Sequence, residues 1–597
     1  MKIRINNLNR TIELEDDKSY NLMNALLEND IYIDNSCNGK LTCGKCKIKV
    51  VEGNVNEITD TEKRLLKKEE IENGIRLSCA VTMSGDVIVE TLSENSSIDV
   101  LDSGDMPEFE KQYRDGYGIC VDIGTTTVCM NLVDLKTGDI IAKNSALNAQ
   151  TKYGLDVLTR ITFEFEHENA AKILQHSIVS SMNKLIDKMI VESKIDRKSI
   201  KEIDIAANTT MVHMLLGVDA RSLGKFPYKP VFTEAKTLKC EDIGLNLDAK
   251  LYTLPNVSAY IGADIVAGAY VTDMRNRENT LFIDIGTNGE IVLKTNEKLY
   301  CCSCAAGPAL EGMNINCGMR AEQGAIEDVV IDGSNVKLQT IGDKPAKGIC
   351  GSGILAVISE IVRNKIVNKR GRIIDPNSVD DFRKDLVRIV DNKREFMMND
   401  ELVITQSDIR QVQLAKGAIL SGFIKLLDEE GLDISDLNEC IVAGQFGSHL
   451  KPSSIVGVGI LPYEIESKIS YVGNSSLIGA YMCLMNDKIK EEMSTLAEDM
   501  NYIELSMTKD YEKIFAKAME FPKERWLWRK NYWYWWCLCS HWQLVTLTKI
   551  RPKSHKKQNK HKNKQKQTKT KQKKKQQTKK QLRFKSLLWM KLTTKKS

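Results

Sequence analysis

The chain is 597 residues long, roughly four times the ~150 residues of an average domain, and 42% of its residues are hydrophobic and 28% charged. These values exclude a small disulfide-stapled scaffold, and no window approaches the roughly 18 uninterrupted apolar residues of a membrane-spanning helix. Of the 85 Lys and Arg residues, 23 lie in residues 526–597, which contain no Asp or Glu, so the first 525 residues are acidic. We expect a cytoplasmic multidomain protein, since the N-terminus lacks the apolar core of a secretory signal.

Residues 1–91 are predicted to form a small ferredoxin-like domain of the β-grasp type. Two of its segments alternate polar and apolar residues as strands do, IRINNLNRTIEL and GDVIVETL. After the first of them, SYNLMNALLEND has the periodicity of an amphipathic helix, and Ser19 is predicted as the residue that opens it.

Four cysteines of this domain have the spacing C-x5-C-x2-C followed, after 32 residues, by the last: Cys37, Cys43, Cys46 and Cys79. Three ligands on one tight loop and a fourth returned by the chain are typical of a 2Fe-2S cluster, and Gly39 and Gly44 let the loop backbone approach the sulfides. Structural zinc is the alternative, but such sites usually have two CxxC pairs, and only Cys43 and Cys46 form one here. The pattern resembles 2Fe-2S ferredoxins and predicts these four cysteines as metal ligands.

A polar, acidic segment without periodicity, residues 92–115, is predicted to be a flexible linker. After it, a strand, a Gly-Thr-rich turn and a second strand occur twice, in VDIGTTTVCM and again in IDIGTNGEIV, with 162 residues between Asp122 and Asp284. Such a turn presents backbone N–H groups and hydroxyls to phosphate, and its Asp suits hydrated magnesium. The pair therefore predicts two lobes that bind one nucleotide between them, and a third turn, IVAGQFGSHL, stands where a purine-side loop would.

These three turns resemble the phosphate and adenosine loops of the ASKHA superfamily, which includes acetate and sugar kinases, Hsp70 and actin. The resemblance implies an α/β, two-lobed ATPase body of the RNase H type, with a middle domain or first lobe over 116–205 and the ATPase domain over 206–525. It implies Asp122 and Asp284 as catalytic residues that work with ATP and Mg²⁺. The nucleotide-binding residues that it implies are Gly124, Thr125, Thr126, Thr127, Gly286, Thr287, Asn288, Gly289, Gly444 and Gly447.

Two further features concern this nucleotide site. Gly351, Ser352 and Gly353 in GICGSGIL are predicted as a nucleotide-contact loop rather than a nucleophile, because GSG lacks the GxSxG form of a nucleophile elbow. Gln445 stands where a third glycine of the adenosine loop is expected.

Several other stretches, among them NAQTKYGLDVLTRI, AANTTMVHMLLG, CAAGPALEGMNINCGMRAEQGAI and VGNSSLIGA, narrow the resemblance. With the cluster domain in front, residues 1–520 resemble the reductive activators of corrinoid proteins. This implies ATP-dependent transfer of an electron from the cluster to a Co(II) corrinoid protein, giving Co(I) for methyl transfer. Plant-type 2Fe-2S centres lie near about −400 mV, and reduction to Co(I) needs a still lower potential. The reductant and homodimer formation stay open, and no membrane or nucleic-acid partner is expected.

Two alternative functions remain. One is ATP-driven electron transfer to another low-potential metalloenzyme, as in the dehydratase activators, although these hold a 4Fe-4S cluster between subunits. The other is a redox-regulated ASKHA small-molecule kinase, which would phosphorylate an added metabolite.

The residues outside these motifs are predicted to be structural or disordered. His213 is expected to pack within a helix, and residues 526–597, with all seven Trp and a Lys/Gln/Asn/Thr tract, cannot form a core. This disordered tail is typical of an AT-rich gene read out of frame, with a nucleic-acid or anionic-membrane arm as the alternative. The cysteines predicted to be buried packing residues rather than a second cluster site are Cys301, Cys302, Cys304, Cys317 and Cys350.

Overall fold

The computed structural model describes residues 1–15, 18–29, 31, 33, 39–92, 106–444 and 450–522. The chain divides into two compact units, Met1–Trp526 and Leu527–Ser597. The second unit, which is the predicted tail, lies outside the described residues, as do Cys37, Gly447 and part of the predicted linker. Within the described ranges, no helix is both long and apolar enough to cross a membrane.

The N-terminal domain is a β-grasp fold, as predicted. Its elements are β1 (Lys2–Ile5), β2 (Arg10–Glu13), β3 (Tyr20–Asn21), α1 (Leu22–Glu28), β4 (Lys47–Val55), α2 (Asp60–Leu65), α3 (Lys68–Glu72), β5 (Ile75–Leu77) and β6 (Thr82–Thr91). The sheet order is β2-β1-β6-β4-β5, with β1 and β6 parallel at its centre and β3 on β6. The apolar side of α1 is buried in the core that this sheet forms.

The start of α1 corrects one expectation. The N-cap residue of α1 is Asn21 rather than Ser19. The side chain of Asn21 accepts a hydrogen bond from the backbone N–H of Asn24 at 3.2 Å. The reason is that Tyr20 and Asn21 pair with β6 as a short strand, which delays the helix by two residues.

The first lobe of the body is a six-stranded sheet covered by helices. Its elements are β7 (Tyr117–Ile123), β8 (Thr127–Asp134), β9 (Ile140–Leu147), α4 (Val157–Glu166), α5 (Ala170–Ser193), β10 (Ile200–Ala207), α6 (Thr209–Leu215), β11 (Lys236–Lys239), β12 (Lys250–Thr253) and α7 (Ala263–Val271). The sheet order is β11-β12-β10-β7-β8-β9; β7, β8 and β9 form an antiparallel meander, and β10 and β12 continue the sheet in parallel. The predicted domain boundary between residues 205 and 206 therefore falls inside β10, and the strands before and after it belong to one sheet.

The second lobe repeats this arrangement. Its elements are β13 (Thr280–Ile285), β14 (Gly289–Lys294), β15 (Leu299–Cys304), β16 (Ala325–Asp332), β17 (Asn335–Thr340), β18 (Gly348–Ile349), α8 (Gly351–Arg363), β19 (Val387–Val390), β20 (Lys393–Met397), β21 (Val403–Thr405), α9 (Gln406–Glu430), β22 (Glu439–Ala443), α10 (Pro452–Val458), β23 (Ile469–Tyr471), α11 (Ser475–Met485), α12 (Asp487–Asp499), β24 (Met500–Tyr502) and α13 (Tyr511–Ala518). Again three antiparallel strands, β13, β14 and β15, are followed by two parallel ones, β22 and β23, in the order β23-β22-β13-β14-β15-β24. The repeated turns predicted from the sequence are the first hairpins of the two sheets.

Two helices join the lobes, α7 and α11. They pack closely, since a Cβ at Gly479 of α11 would lie 2.5 Å from the Cβ of Ala267 in α7. One apolar core contains residues of both helices and of strands from both sheets. Beside it, the buried ammonium of Lys490 in α12 contacts Glu202 (2.7 Å) and Asp204 (3.2 Å) of β10. The packing of α7 on α11, the shared apolar core and the Lys490 ion pairs therefore connect the two lobes.

Candidate functional site

The predicted turns meet in a cleft between the lobes. The cleft has a volume of about 980 Å³ including its open mouth. A backbone hydrogen bond closes each hairpin turn: the N–H of Gly124 donates to the carbonyl of Thr127 (2.8 Å), and that of Gly286 donates to the carbonyl of Asn288 (2.9 Å). The predicted residues in the lining are Asp122, Gly124, Thr125, Thr126, Thr127, Asp284, Gly286, Thr287, Asn288 and Gly444.

Asp122 is held by the start of a helix from the other end of the chain. Its two carboxylate oxygens accept hydrogen bonds from Ser476 Oγ (2.8 Å) and Asn474 Nδ2 (3.0 Å) at the N-terminus of α11. Burial raises the pKa of Asp122, and these two hydrogen bonds oppose the rise. The carboxylate is thus oriented at the point where the two lobes are joined.

Four more carboxylates face the same cleft, each only partly exposed. Burial raises the pKa of Asp284 to about 7, and the charges of Asp122 and Glu311 add to the rise. Burial likewise raises the pKa of Asp264 to about 8, with Asp284 and Asp122 as further causes. The pKa of Glu290 is raised well above its ordinary value, and that of Glu311 is raised although its Oε1 accepts a hydrogen bond from Thr287 Oγ1 at 2.7 Å.

This concentration of carboxylates favours a hydrated divalent cation. Burial raises the pKa of all five acidic side chains, and neighbouring carboxylates add to the rise at Asp264, Asp284 and Glu290. Such groups are most stable in the ionised state when a positive charge lies between them. Among the described residues, no group of three or more His, Cys, Asp or Glu side chains could hold a metal ion. Magnesium keeps several of its waters when it binds with phosphates, so its donors need not converge on one point, and the cleft fits such an ion.

Three side chains support the first turn: Arg160 and Asn148, which are fully buried, and Asn208, which lines the cleft. Arg160 of α4 donates to the carbonyls of Thr125 and Gly154, the latter at 2.8 Å. Asn148 Nδ2 donates to the carbonyl of Gly124 (2.9 Å), and Asn208 Nδ2 to Thr125 Oγ1 (3.1 Å). These hydrogen bonds satisfy the carbonyls of Gly124 and Thr125 and so restrain the turn that lines the cleft.

Several predicted glycines have packing roles in the structure. A Cβ at Gly444, whose φ is +97°, would lie 2.7 Å from Asp284 Oδ1, so this turn approaches the carboxylate as only glycine can. A Cβ at Gly289 would meet Ile419 of α9 at 2.8 Å, and one at Gly353 would lie 2.1 Å from the carbonyl of Ile326. The lining of the cleft does not include Gly289 or residues 351–353, which open α8.

Three of the four predicted cluster cysteines lie on neighbouring segments of the N-terminal domain. Cys46 is 1% exposed and Cys79 9%, and their sulfurs are 3.1 Å apart. Cys43 is partly exposed, and its sulfur accepts a hydrogen bond from the backbone N–H of Lys45 at 3.5 Å. Gly39 and Gly44 both have positive φ, +75° and +67°. The thiols present fit a tetrathiolate cluster whose fourth ligand, Cys37, lies outside the described residues.

Of the five cysteines predicted to be buried packing residues, all but Cys317 are buried. Cys301, Cys302 and Cys304 are at most 1% exposed in β15, and Cys350 is 2% exposed. Cys317 is partly exposed, and burial raises its thiol pKa to about 12, which disfavours the thiolate that a metal needs. His213 lies within α6 and stacks on Phe232 with 4.4 Å between the ring centroids.

Sequence reasoning missed several residues of the cleft. Their stretches were recognised in most cases, but no motif distinguished the individual side chains. Asp264 is the clearest example, since it is the second residue of α7 and becomes notable only when the chain brings it beside Asp284. The missed side chains are Asn208, Asp264, Glu311, Asn474 and Ser476.

Three family models match the chain in order. A 2Fe-2S iron-sulfur cluster binding domain matches residues 3–84, the middle region of RACo matches residues 117–277, and the C-terminal ASKHA domain of RACo matches residues 278–531. The chain thus combines a 2Fe-2S domain with an ASKHA domain.

Relatives that are named for activating or reducing corrinoid proteins are similar to this chain over most of their length. The corrinoid activation enzyme RamQ of Eubacterium limosum is 31% identical over 413 residues, 67% of this chain and 69% of that protein. A reductase of methylated amine-specific Co(II) corrinoid protein from Methanosarcina barkeri is 23% identical over 66% of this chain and 74% of its own length. A solved structure described as a reductive activator for corrinoid, iron-sulfur protein is 30% identical, with a TM-score of 0.62, over 87% of this chain and 98% of that one.

Proposed function

We propose a function for this chain from the family to which it belongs, the reductive activators of corrinoid proteins. It is an ATP-dependent electron-transfer enzyme. It passes one electron from its 2Fe-2S domain to the Co(II) form of a corrinoid protein, which becomes Co(I) and competent for methyl transfer. The observation that carries the proposal is the joining of a 2Fe-2S domain to an ASKHA domain in one chain that resembles activators along most of its length.

The cluster ligands we propose are Cys37, Cys43, Cys46 and Cys79. A bound 2Fe-2S cluster carries a single electron. The support is the burial of Cys46 and Cys79, their sulfur separation of 3.1 Å and the positive φ of the loop glycines. An external low-potential donor must return the electron after each transfer.

The cleft is proposed to bind ATP with hydrated Mg²⁺. The ion neutralises phosphate charge, and Asp122 and Asp284 are the residues we assign to orient its waters. Ser476 and Asn474 hold the Asp122 carboxylate, while the turns beginning at Gly124 and Gly286 direct backbone N–H groups and threonine hydroxyls toward the phosphates. Gly289, Gly447 and residues 351–353 stay predictions, as do a cytoplasmic location and a homodimer.

The deciding experiment is anaerobic. The purified protein, with its cluster reduced, is mixed with a Co(II) corrinoid protein, and the absorbance of Co(I) is followed with and without Mg-ATP. ATP-dependent formation of Co(I) supports the proposal. Persistent ATP hydrolysis and a redox-active cluster without Co(I) for any corrinoid protein would favour another metalloenzyme as acceptor, and phosphorylation of an added metabolite would favour a kinase.

Two variants separate the modules. Cys43→Ser is expected to abolish Co(I) formation and leave ATP hydrolysis measurable, since Cys43 lies in the cluster loop. Asp284→Asn is expected to lower ATP hydrolysis by about 100-fold or more, because one preorganised charged group is worth roughly that much, and to leave the visible spectrum of the cluster intact. Equal loss of both activities in both variants would contradict the modular assignment.

A further inference from the structure

Lys45 of the cluster loop contacts the second lobe. Its Nζ donates to the backbone carbonyls of Gly318 (3.1 Å) and Gly312 (3.4 Å). In sequence Lys45 lies between Cys43 and Cys46, and its own backbone N–H donates to the sulfur of Cys43. One residue therefore belongs both to the proposed cluster loop and to the contact with the ATPase body.

The two carbonyls that accept from Lys45 are held together by a tight loop. Gly312 has a φ of +84°, and a Cβ there would lie 2.6 Å from the carbonyl oxygen of Met319. A Cβ at Gly318 would lie 1.9 Å from the carbonyl oxygen of Gly312. The N–H of Met319 donates to the carbonyl of Ile349 just before α8 (2.9 Å). Segment 312–319 is thus a closely packed unit in which only glycine fits at two positions, and we call it the receiving loop.

The receiving loop begins directly after a residue that lines the cleft. Glu311, the residue before Gly312, lines the cleft and accepts a hydrogen bond from Thr287 Oγ1 of the second phosphate turn at 2.7 Å. Its charge acts on Asp284. Phosphate or cation charge placed in the cleft therefore acts on Glu311, which is bonded directly to the residue that accepts from Lys45.

We propose that Lys45 is the positioning residue through which nucleotide in the cleft controls the placement of the cluster loop. A lysine ammonium makes charge-assisted hydrogen bonds to carbonyl oxygens, and these depend steeply on geometry. A shift of Glu311 moves the Gly312 carbonyl and changes the docking of Lys45, so nucleotide biases the equilibrium between docked and undocked cluster loop. By linkage, the docking of Lys45 changes nucleotide affinity to the same extent. The role in electron transfer rests on the proposed function, whereas the coupling itself does not.

Hydrogen exchange of the intact protein tests the coupling directly. Exchange of residues 43–49 and 312–319 is measured with and without Mg-ATP in the native protein, in Lys45→Met and in Lys49→Met. The control, Lys49, carries the same charge on the same domain but pairs with Glu90 of that domain at 3.1 Å. The visible spectrum of the cluster verifies that each variant is folded and loaded.

The expected result is a nucleotide-dependent change of about fivefold or more, the lower end of typical coupling, in the exchange of residues 43–49 in the native protein and in Lys49→Met. In Lys45→Met this response disappears, while residues 312–319 still respond. An unchanged response in Lys45→Met, or no response at residues 43–49 of the native protein, would overturn the inference.

A second readout connects the contact to electron transfer. The ratio of Co(I) formation rates with and without Mg-ATP is expected to fall by about tenfold in Lys45→Met, within the range of allosteric coupling, and to stay native in Lys49→Met. An unchanged ratio in Lys45→Met would contradict the assigned role. If no corrinoid protein yields Co(I), the proposed function fails, and the exchange data still decide the coupling.

Discussion

Asp264 and Asp284 illustrate how a single residue acquires its chemistry from distant parts of the chain. Each starts or ends an ordinary element, the N-terminus of α7 and the end of β13. Burial raises the pKa of Asp264 to about 8, with Asp284 and Asp122 as further causes, and that of Asp284 to about 7, with Asp122 and Glu311 as further causes. A free carboxyl group has a pKa near about 4, so the folded protein keeps protons on this site that the unfolded chain has lost.

This difference predicts a pH dependence with a definite sign. Between about pH 4 and pH 8 the native state binds more protons than the unfolded state, so the free energy of unfolding falls as pH rises through this range. A cation bound by the ionised carboxylates displaces these protons, and each proton released strengthens binding about tenfold per pH unit. Since two such groups titrate, we expect the affinity for Mg-ATP to rise by roughly tenfold to a hundredfold from pH 6 to pH 7.

Calorimetry in buffers of different ionisation enthalpy measures the protons released on binding. Asp264→Asn serves as the comparison, because it removes the carboxylate with the higher pKa and adds no charge. The variant is expected to release fewer protons than the native protein at pH 7 and to lose less stability between pH 6 and pH 8. Equal proton release by both proteins would exclude Asp264 from the titrating site.

At the scale of elements, the turn between β7 and β8 depends on a helix that does not contact the cleft itself. Arg160 is 0% exposed and donates to the carbonyls of Thr125 and Gly154, and burial lowers its pKa to about 9. Arg160→Met keeps most of the side-chain volume but leaves these carbonyls unpaired, at about 1–3 kcal/mol each. We expect the KM for ATP to rise by about tenfold, since a loosened turn must be ordered by the ligand, with the cluster spectrum unchanged.

Steady-state ATP hydrolysis and thermal unfolding check this prediction together. The matched control is Arg197→Met, because Arg197 pairs with Asp187 at the surface, where an ion pair contributes about 0–1 kcal/mol. The control should have native KM and nearly native stability. A destabilised Arg160→Met with native KM would mean that the arginine supports only the fold and not the turn.

The elements that could be predicted from the sequence are those whose signals are local. The strand, turn and strand around Asp122 and Asp284 appear in the sequence as an apolar strand followed by a Gly-Thr pair, and the matching hairpins of both sheets follow from that repeat. Features that depend on contacts between distant parts of the chain could not be predicted from the sequence. Helix α1 does not begin after Ser19, because the next two residues pair with β6 as a strand. Gly353 is predicted to contact a ligand, but a glycine is needed there because a Cβ would clash with the carbonyl of Ile326. Asn474 and Ser476, which donate hydrogen bonds to Asp122, are more than 350 residues away from it in the sequence.

For the whole molecule, the described body ends in a buried anchor. Lys416 of α9 is 1% exposed, and its ammonium donates to the carbonyls of Ala518 (2.6 Å) and Glu520 (2.7 Å). Phe521 is 2% exposed and its ring lies 5.8 Å from that ammonium. Burial lowers the pKa of Lys416 to about 7, and the charge of Glu520 opposes this fall. The segment through Phe521 is therefore part of the fold rather than an appendage.

Two truncations distinguish this anchor from the basic tail. A chain that ends after residue 525 keeps every carbonyl around Lys416, so it should match the full chain in melting temperature, ATP hydrolysis and cluster content. A chain that ends after residue 517 leaves a buried ammonium without its partners, which costs about 3–5 kcal/mol, and it should unfold at a clearly lower denaturant concentration. Lys416→Met in the 517 chain removes the unpaired charge and is expected to restore part of the loss. A 525 chain with reduced activity would instead assign residues 526–597 a role in the enzyme, against the composition that makes them read as an out-of-frame tail.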